Sequence, residues 1–193
     1  FSNSDYEVYA VDKKKIVCRQ RVKTYACDIS DKKILENILE IIKPNYIINL
    51  AGLFGKYDFE ALYNVNVDIS RCILDWSISK GEQIIKRILL IGSSAEYGKP
   101  DKNPVSEEDN LAPLSLYGLS KLLQSELALM YARKFSAPVL IGRTFNLKGK
   151  GANKDLAVGS WEEKINAAKD GETIYVGNIE TWRDYLSIEE ALD

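Results

Sequence analysis

The chain has 193 residues, 46% of them hydrophobic and 28% charged, enough to bury the core of one domain and part of a second. A formal net charge of −2 gives no electrostatic case for nucleic acid or an anionic membrane surface, and no apolar run approaches the ~18 residues of a spanning helix. Histidine is absent, which removes Ser-His-Asp hydrolysis and the common zinc-hydrolase sites and leaves proton transfer to Tyr, Lys, Glu, Asp or Cys.

The first residue is Phe1 and the first strong pattern is already a strand, so the chain reads as a piece of something longer or as one with trimmed ends. Residues 6–12 (YEVYAVD) form that strand and end in an acid. Residues 26–31 (ACDISD) close a second extended piece, and Ser30 or Asp31 then caps a helix through Lys43, with Ile34, Leu35, Ile38, Leu39 and Ile42 on one face and Pro44 as its stop. Residues 46–52 (YIINLAG) are an apolar run of buried parallel-strand character, and 58–80 are helical up to Gly81. Residues 87–94 (RILLIGSS) are the next strand, followed by an irregular stretch with Pro100, Pro104 and Pro113. A helix then runs to about Phe135, its set Leu119, Leu122, Leu123, Leu127 and Met130 turned into the body, before a strand at 138–146 (PVLIGRTFN). Beyond Asn146 come a Gly- and Lys-rich loop, a helix over 161–169 and a short strand at 173–178 (TIYVGN). Strands alternating with amphipathic helices predict a parallel sheet with crossover helices. Residues 1–145 read as most of a nucleotide-binding sheet and 146–193 as part of a smaller substrate-side region. Cys18, Cys27 and Cys72 are scattered without C-x-x-C spacing, as expected of reduced, buried thiols in a cytoplasmic protein, and no metal site is expected.

Ligands of open α/β sheets bind at the carboxyl ends of the strands. Asp12, Asp28 with Ile29, Ala51 with Gly52, Ser93 with Ser94, and Asn146 are expected at five such ends. Tyr117 and Lys121 lie about one helical turn apart at the head of the following helix, so they share a face. A phenol beside an ammonium is either an acid/base unit or an ordinary surface pair. Asp12 can accept hydrogen bonds from a ribose or simply end a strand, and the DISD of Asp28 is also a helix-cap sequence.

Taken in order, AVD, CDISD, INLAG, NVN, GSSAEYG, YGLSK, RTFN and WRDYLSIEEA span nearly the whole chain. Together they resemble the extended short-chain dehydrogenase/reductases, the NAD-dependent sugar epimerase/dehydratase family. The resemblance implies a Rossmann-like doubly wound parallel sheet with a small C-terminal substrate-binding region. It implies Tyr117 as general acid/base at the sugar hydroxyl or carbonyl, Lys121 lowering the phenol's pKa and holding the nicotinamide ribose, and Ser93 hydrogen-bonding the reacting oxygen. It assigns Asp12 to the adenosine ribose, Asp28 and Ile29 to the adenine, and Leu50, Ala51, Gly52 and Asn66 to the cofactor. Ser94, Asn146 and Arg183 fall to the sugar nucleotide, the arginine at its diphosphate or else in an ion pair with Asp184 or Glu180.

The family's glycine-rich pyrophosphate loop does not precede Asp12, and the resemblance places it roughly 20–35 residues upstream of that acid, outside this chain. Dehydratases of the family carry a glutamate where this chain has Ala95, with Glu96 one position out of register, which counts against 4,6-dehydration. The motifs look most like the GDP-4-keto-6-deoxy-D-mannose reductases, with 4-epimerase as the alternative and a catalytically inactive relative also open. Asp12 favours NAD(H), while Lys13, Lys14 and Lys15 leave NADP(H) open. A homodimer through residues 58–80 and the Tyr-Lys helix is implied by the resemblance alone.

Overall fold

The computed structural model describes residues 6–17, 21–80, 84–151, 154, 156–178, 180 and 182–192. The chain divides into two compact units, Phe1–Arg143 and Thr144–Asp193. The fold is a Rossmann-like α/β arrangement of parallel strands with helices between them. Cys18 and Gly81 lie outside the described residues; of the other two cysteines Cys72 is buried on its helix, while Cys27, just past the end of a strand, is only half-buried.

In the first unit, β1 (Val8–Asp12) and β2 (Val22–Ala26) form a parallel pair in the register Val8↔Val22 to Asp12↔Ala26. Asp31, not Ser30, caps α1 (Lys32–Ile42), accepting the N–H groups of Lys33 and Ile34. Leu35 and Leu39 are the residues that α1 buries, and left-handed Lys43 ends it just before Pro44. A three-stranded sheet follows in the order β3 (Tyr46–Asn49), β4 (Arg87–Ser93), β5 (Val139–Thr144), with β3 and β4 parallel.

The helical stretch expected over 58–80 is one rod in three pieces: α2 (Phe59–Tyr63) capped by Asp58, a π-helical turn (Asn64–Asp68), and α3 (Ile69–Lys80). α4 (Leu116–Phe135) is capped by Ser115. The core gathers Leu35 and Leu39, Ile69, Ile73, Leu74 and Trp76 of α3, Ile88 and Leu90 of β4, and Ala128 and Tyr131 of α4.

Two burial expectations are corrected here. Residues 46–50 are not buried throughout: Tyr46, Ile48 and Leu50 are 47, 49 and 75% exposed, because a strand alternates faces and only the Ile47–Asn49 face meets the helices. On α4 the inward stripe is polar and small, comprising Gly118, Ser120, Lys121, Gln124, Ser125, Ala128 and Tyr131. Leu119, Leu123 and Met130 are exposed, and Leu122 and Leu127 half-buried. The reason is chemical: this face meets side chains of α3 and the π turn that it hydrogen-bonds, through Ser120–Asn66, Gln124–Ser70 and Tyr131–Asp75.

In the second unit, β6 (Asn146–Lys148) pairs in parallel with β7 (Tyr185–Ser187), and α5 (Ala157–Ala167) and α6 (Ile188–Leu192) complete the described elements. The strand expected over 138–146 therefore breaks at Phe145. The helix expected over 161–169 begins at Ala157, where Leu156 offers no side-chain cap that a sequence could reveal. Residues 173–178 form no strand: no ladder partner runs beside them among the described residues, and apolar alternation alone does not make a strand without one.

Candidate active site

The carboxyl end of β4 turns into a short 3-10 turn (Ser94–Glu96) through a reciprocal cap. The Ser93 hydroxyl accepts the Ala95 N–H at 3.2 Å, and Glu96 Oε1 accepts the Ser93 N–H at 2.7 Å. Glu96 is fully buried, and its second oxygen receives Arg143 Nε of β5 at 2.9 Å. Burial pulls the guanidinium of Arg143 down, but its bonds to Glu96 and Tyr97 outweigh that and raise its pKa, so it stays charged.

The first turn of α4 is pressed against this turn. A methyl added at Gly118 would lie 2.5 Å from the Ala95 carbonyl oxygen, so only glycine lets the two approach so closely. Tyr117, half-buried, projects beside Phe54, whose ring meets it edge-on at 5.4 Å. Among the described residues its hydroxyl has no hydrogen-bond partner. Lys121 is 4% exposed and donates to the Ile91 carbonyl of β4, not to Tyr117. Burial lowers its pKa to about 8, against the opposing pull of Glu96.

Beneath Tyr117 lies a buried polar network. Asn66, in the π turn and fully buried, accepts the Leu53 N–H at 2.7 Å and donates to the Leu53 carbonyl at 3.0 Å and to Ser120 Oγ at 2.9 Å. Ser120 in turn donates to the Tyr117 carbonyl at 2.7 Å. Asn66 is thus engaged by the protein itself, tying the loop after β3 to the head of α4.

At the other strand ends, Asp12 is exposed and accepts the Lys14 N–H at 2.7 Å. Asp28 accepts from Ser30 N and Oγ and pairs with Lys13 at 2.7 Å, which together hold its carboxyl down to about 2. Ile29 packs against the core, Ala51 is half-buried, and Leu50 and Gly52 are exposed. Ser94 is half-buried.

In the second unit, Asn146 opens β6, and its side chain donates to the Asp184 carbonyl at 2.9 Å. Arg183 is exposed and has no carboxylate partner among the described residues, so neither Asp184 nor Glu180 pairs with it there. Trp161, Ile165, Ile174 and Val176 line an apolar hollow of about 270 Å³. Among the described residues no group of metal-ligating side chains gathers, and no helix is long and apolar enough to cross a membrane.

Sequence reasoning did not single out Arg143, Gly118, Ser120 or Phe54 as parts of this site. The Glu96 contact had a legible signal, the S-x-x-E spacing of a capping box from Ser93. Arg143 and Phe54 had none, because they reach the site across the fold.

The profile of the NAD dependent epimerase/dehydratase family matches residues 1–193. Two curated relatives each align with 86% of this chain and 55% of their own length: a GDP-6-deoxy-D-talose 4-dehydrogenase of Aggregatibacter actinomycetemcomitans, 26% identical, and a UDP-glucose 4-epimerase of Rhizobium meliloti, 28% identical. The chain therefore spans about half the length of these relatives. The solved structure of a UDP-glucuronic acid 4-epimerase from Bacillus cereus, in complex with UDP-glucuronic acid and NAD, superposes with a TM-score of 0.82 at 22% identity, covering 99% of this chain and 64% of that one.

Proposed function

Because the chain belongs to the NAD dependent epimerase/dehydratase family, we propose that the protein exchanges a hydride and a proton at C4 of a sugar nucleotide, with NAD(H) as cofactor and Tyr117 as the acid/base. The observation that carries this reading is at the head of α4, where a half-buried phenol without a partner among the described residues stands one turn before a buried ammonium.

The residues fit NAD. Asp12 offers an exposed carboxylate at the end of β1, suited to a ribose diol and repellent to a 2′-phosphate. Lys13 is tied to Asp28, which reduces its power to offset that repulsion. Ile29 with Asp28 would flank the adenine, and Leu50, Ala51 and Gly52 the cofactor backbone, where a methyl on Gly52 would meet nothing closer than Asn66 Oδ1 at 3.6 Å. When bound, NAD(H) supplies or takes up hydride at C4. Tyr117 gives its proton to the C4 oxygen as a carbonyl is reduced, or removes it as a hydroxyl is oxidised. The Ser93 hydroxyl, already an acceptor for Ala95 N–H, has its own proton left to donate to the same oxygen. Lys121, one turn further along α4, offers the ammonium that would hold the nicotinamide ribose. Ser94, Asn146 and Arg183 are assigned to the sugar nucleotide, with Arg183 at the diphosphate.

Dehydration also needs an acid to expel the C6 hydroxyl. Ala95 offers none, and both oxygens of neighbouring Glu96 are already bonded. The finer reading is net reduction of a 4-keto-6-deoxy sugar nucleotide, GDP-linked, which the kinship to the GDP-6-deoxy-D-talose 4-dehydrogenase supports. The second reading, 4-epimerisation, draws on the names of the Rhizobium relative and the Bacillus structure. The free thiols of Cys27 and Cys72 suit a cytoplasmic setting.

The test uses the product of the complete gene. With GDP-4-keto-6-deoxymannose, reduced-nicotinamide absorbance should fall in step with product formed, and GDP-mannose should stay undehydrated. Exchange of C4 epimers without a net absorbance change would select the second reading, and a 4-keto-6-deoxy product from GDP-mannose would overturn the argument from Ala95. Tyr117→Phe should cut turnover by ~10²–10⁴-fold while NAD binding persists. Near-normal turnover would remove Tyr117 from the chemistry.

A further inference from the structure

The Glu96–Arg143 pair has no role in the scheme above, yet the fold is shaped around it. Glu96 is 0% exposed and the Arg143 side chain 17%. Arg143 Cζ lies 5.5 Å from the centre of the Tyr97 ring, and its Nη1 is 3.5 Å from the Tyr97 hydroxyl. At Gly92, immediately before Ser93, an added methyl would come within 2.7 Å of Glu96 Oε1 and 3.1 Å of Arg143 Cγ, so that position leaves no room for a side chain. A buried ion pair is a poor means of stabilising a fold, since apolar replacements of similar volume often serve as well or better.

Its neighbours give it a different use. Glu96 Oε1 holds the backbone N–H of Ser93, fixing the turn in which the Ser93 hydroxyl accepts from Ala95 N and keeps its proton to donate. Lys121 bonds the carbonyl of Ile91, the residue before Gly92. Of the polar side chains that β3, the π turn and α3 bring to this face of α4, Asn49, Asn66 and Ser70 are uncharged, and the Asp75 carboxylate is bonded to Tyr131, ten residues further along the helix than Lys121. Tyr117 is one turn away on α4 itself, and Arg143 of β5 is occupied by Glu96. Glu96 is the carboxylate whose charge supports the Lys121 ammonium against burial.

We propose that Glu96, clamped by Arg143, is a positioning residue for the acid/base site: it aims the Ser93 hydroxyl through the backbone and keeps Lys121 protonated through its charge. This deepens the C4 oxidoreduction reading and rests on it for the roles of Ser93 and Lys121. A glutamate one place away from the dehydratase acid is thereby a fixed support for the site, not a proton donor in it.

The experiment titrates Lys121 directly, by NMR of the protein carrying [¹³Cε]lysine, with Lys121→Met to assign the signal. Glu96→Gln alone strands the Arg143 charge, so the double variant Glu96→Gln/Arg143→Met, which removes both charges, is measured beside it. In both, the Lys121 midpoint should fall from about 8 by roughly one pH unit or more. The alkaline limb of kcat/KM should move to lower pH by the same amount, and Glu96→Asp should restore part of it. An unmoved midpoint in either folded variant overturns the proposal, whatever happens to turnover. A double variant that cannot fold assigns the pair to stability and overturns it equally. The midpoint is read without substrate, so failure of the Tyr117 chemistry would leave this outcome intact and separately legible.

Discussion

At 4% exposure, with its Nζ bonded to the Ile91 carbonyl, Lys121 is an ammonium that burial pulls from the ordinary lysine value of 10.5 to about 8. Below pH 8 both folded and unfolded chains carry its proton, and the cost of burying the charge is present in full. Between about 8 and 10.5 the unfolded chain holds the proton and the folded chain does not, so folding stability rises with pH across that window. The whole rise is worth about 3 kcal/mol. The difference in unfolding free energy between the natural chain and Lys121→Met, from denaturant titrations at pH 7 and at pH 10, should grow in favour of the natural chain. An unchanged difference would mean that Lys121 sits in a wetter place than its burial indicates. Tyr131 runs the opposite way: burial and its bond to Asp75 raise its pKa to about 12, so its contribution is lost as pH climbs above 10.

The rod from Phe59 to Lys80 shows what a helix can do at a site when its ladder is interrupted. Its first cap, Asp58, and its buried residues Ile69, Ile73 and Trp76 are ordinary helix devices, but the π turn at Asn64–Asp68 is not. The turn includes Asn66, whose amide ties the loop after β3 to α4 through Leu53 and Ser120, and Ser120 carries that restraint to the backbone of Tyr117. Asn66→Ala strands these groups in a dry site and should cost about 2–3 kcal/mol of stability. It should also lower kcat more than it weakens NAD binding, because the loss falls on Tyr117. Equal losses in both would show that Asn66 serves the cofactor instead. Gly118 works at the same scale, since its missing side chain is what lets the α4 head touch the turn after Ser93.

Across the whole molecule, the inverted burial of α4 leaves apolar surface to explain. Leu116, Leu119, Leu123 and Met130 are 51, 37, 36 and 36% exposed, and Leu119, Leu123 and Met130 recur at the spacing of one helical stripe. We propose that a second copy of the chain covers it, since a stripe of this kind suits a helix packed against its twin. Leu119→Glu/Leu123→Glu should therefore convert a dimer to a monomer in sedimentation, with its circular dichroism unchanged. A natural protein that already sediments as a monomer would remove this use of the stripe.

Local signals carried much of the architecture. The caps Asp31, Asp58 and Ser115, the stop at Pro44, and the alternation of apolar strands with amphipathic helices are written within a few residues of where they act, so the α/β class and the helix carrying Tyr117 and Lys121 could be read from the chain. The S-x-x-E spacing of Ser93 and Glu96 belongs to the same kind of signal. Which face of α4 turns inward could not be read that way, because polar contacts with Asn66, Ser70 and Asp75, 54 to 56 residues distant, outweigh the leucine pattern. Nor could the start of α5, which lacks a side-chain cap, or the coil at 173–178, which has no ladder partner among the described residues. The same holds for the partners of the site: Arg143 reaches Glu96 across 47 residues of sequence, and the low pKa of Lys121 comes from burial by the assembled fold. Periodicity and capping are local free energies and stand in the sequence. Desolvation and long-range pairing arise only once distant segments have been brought together, so only the tertiary structure decided them.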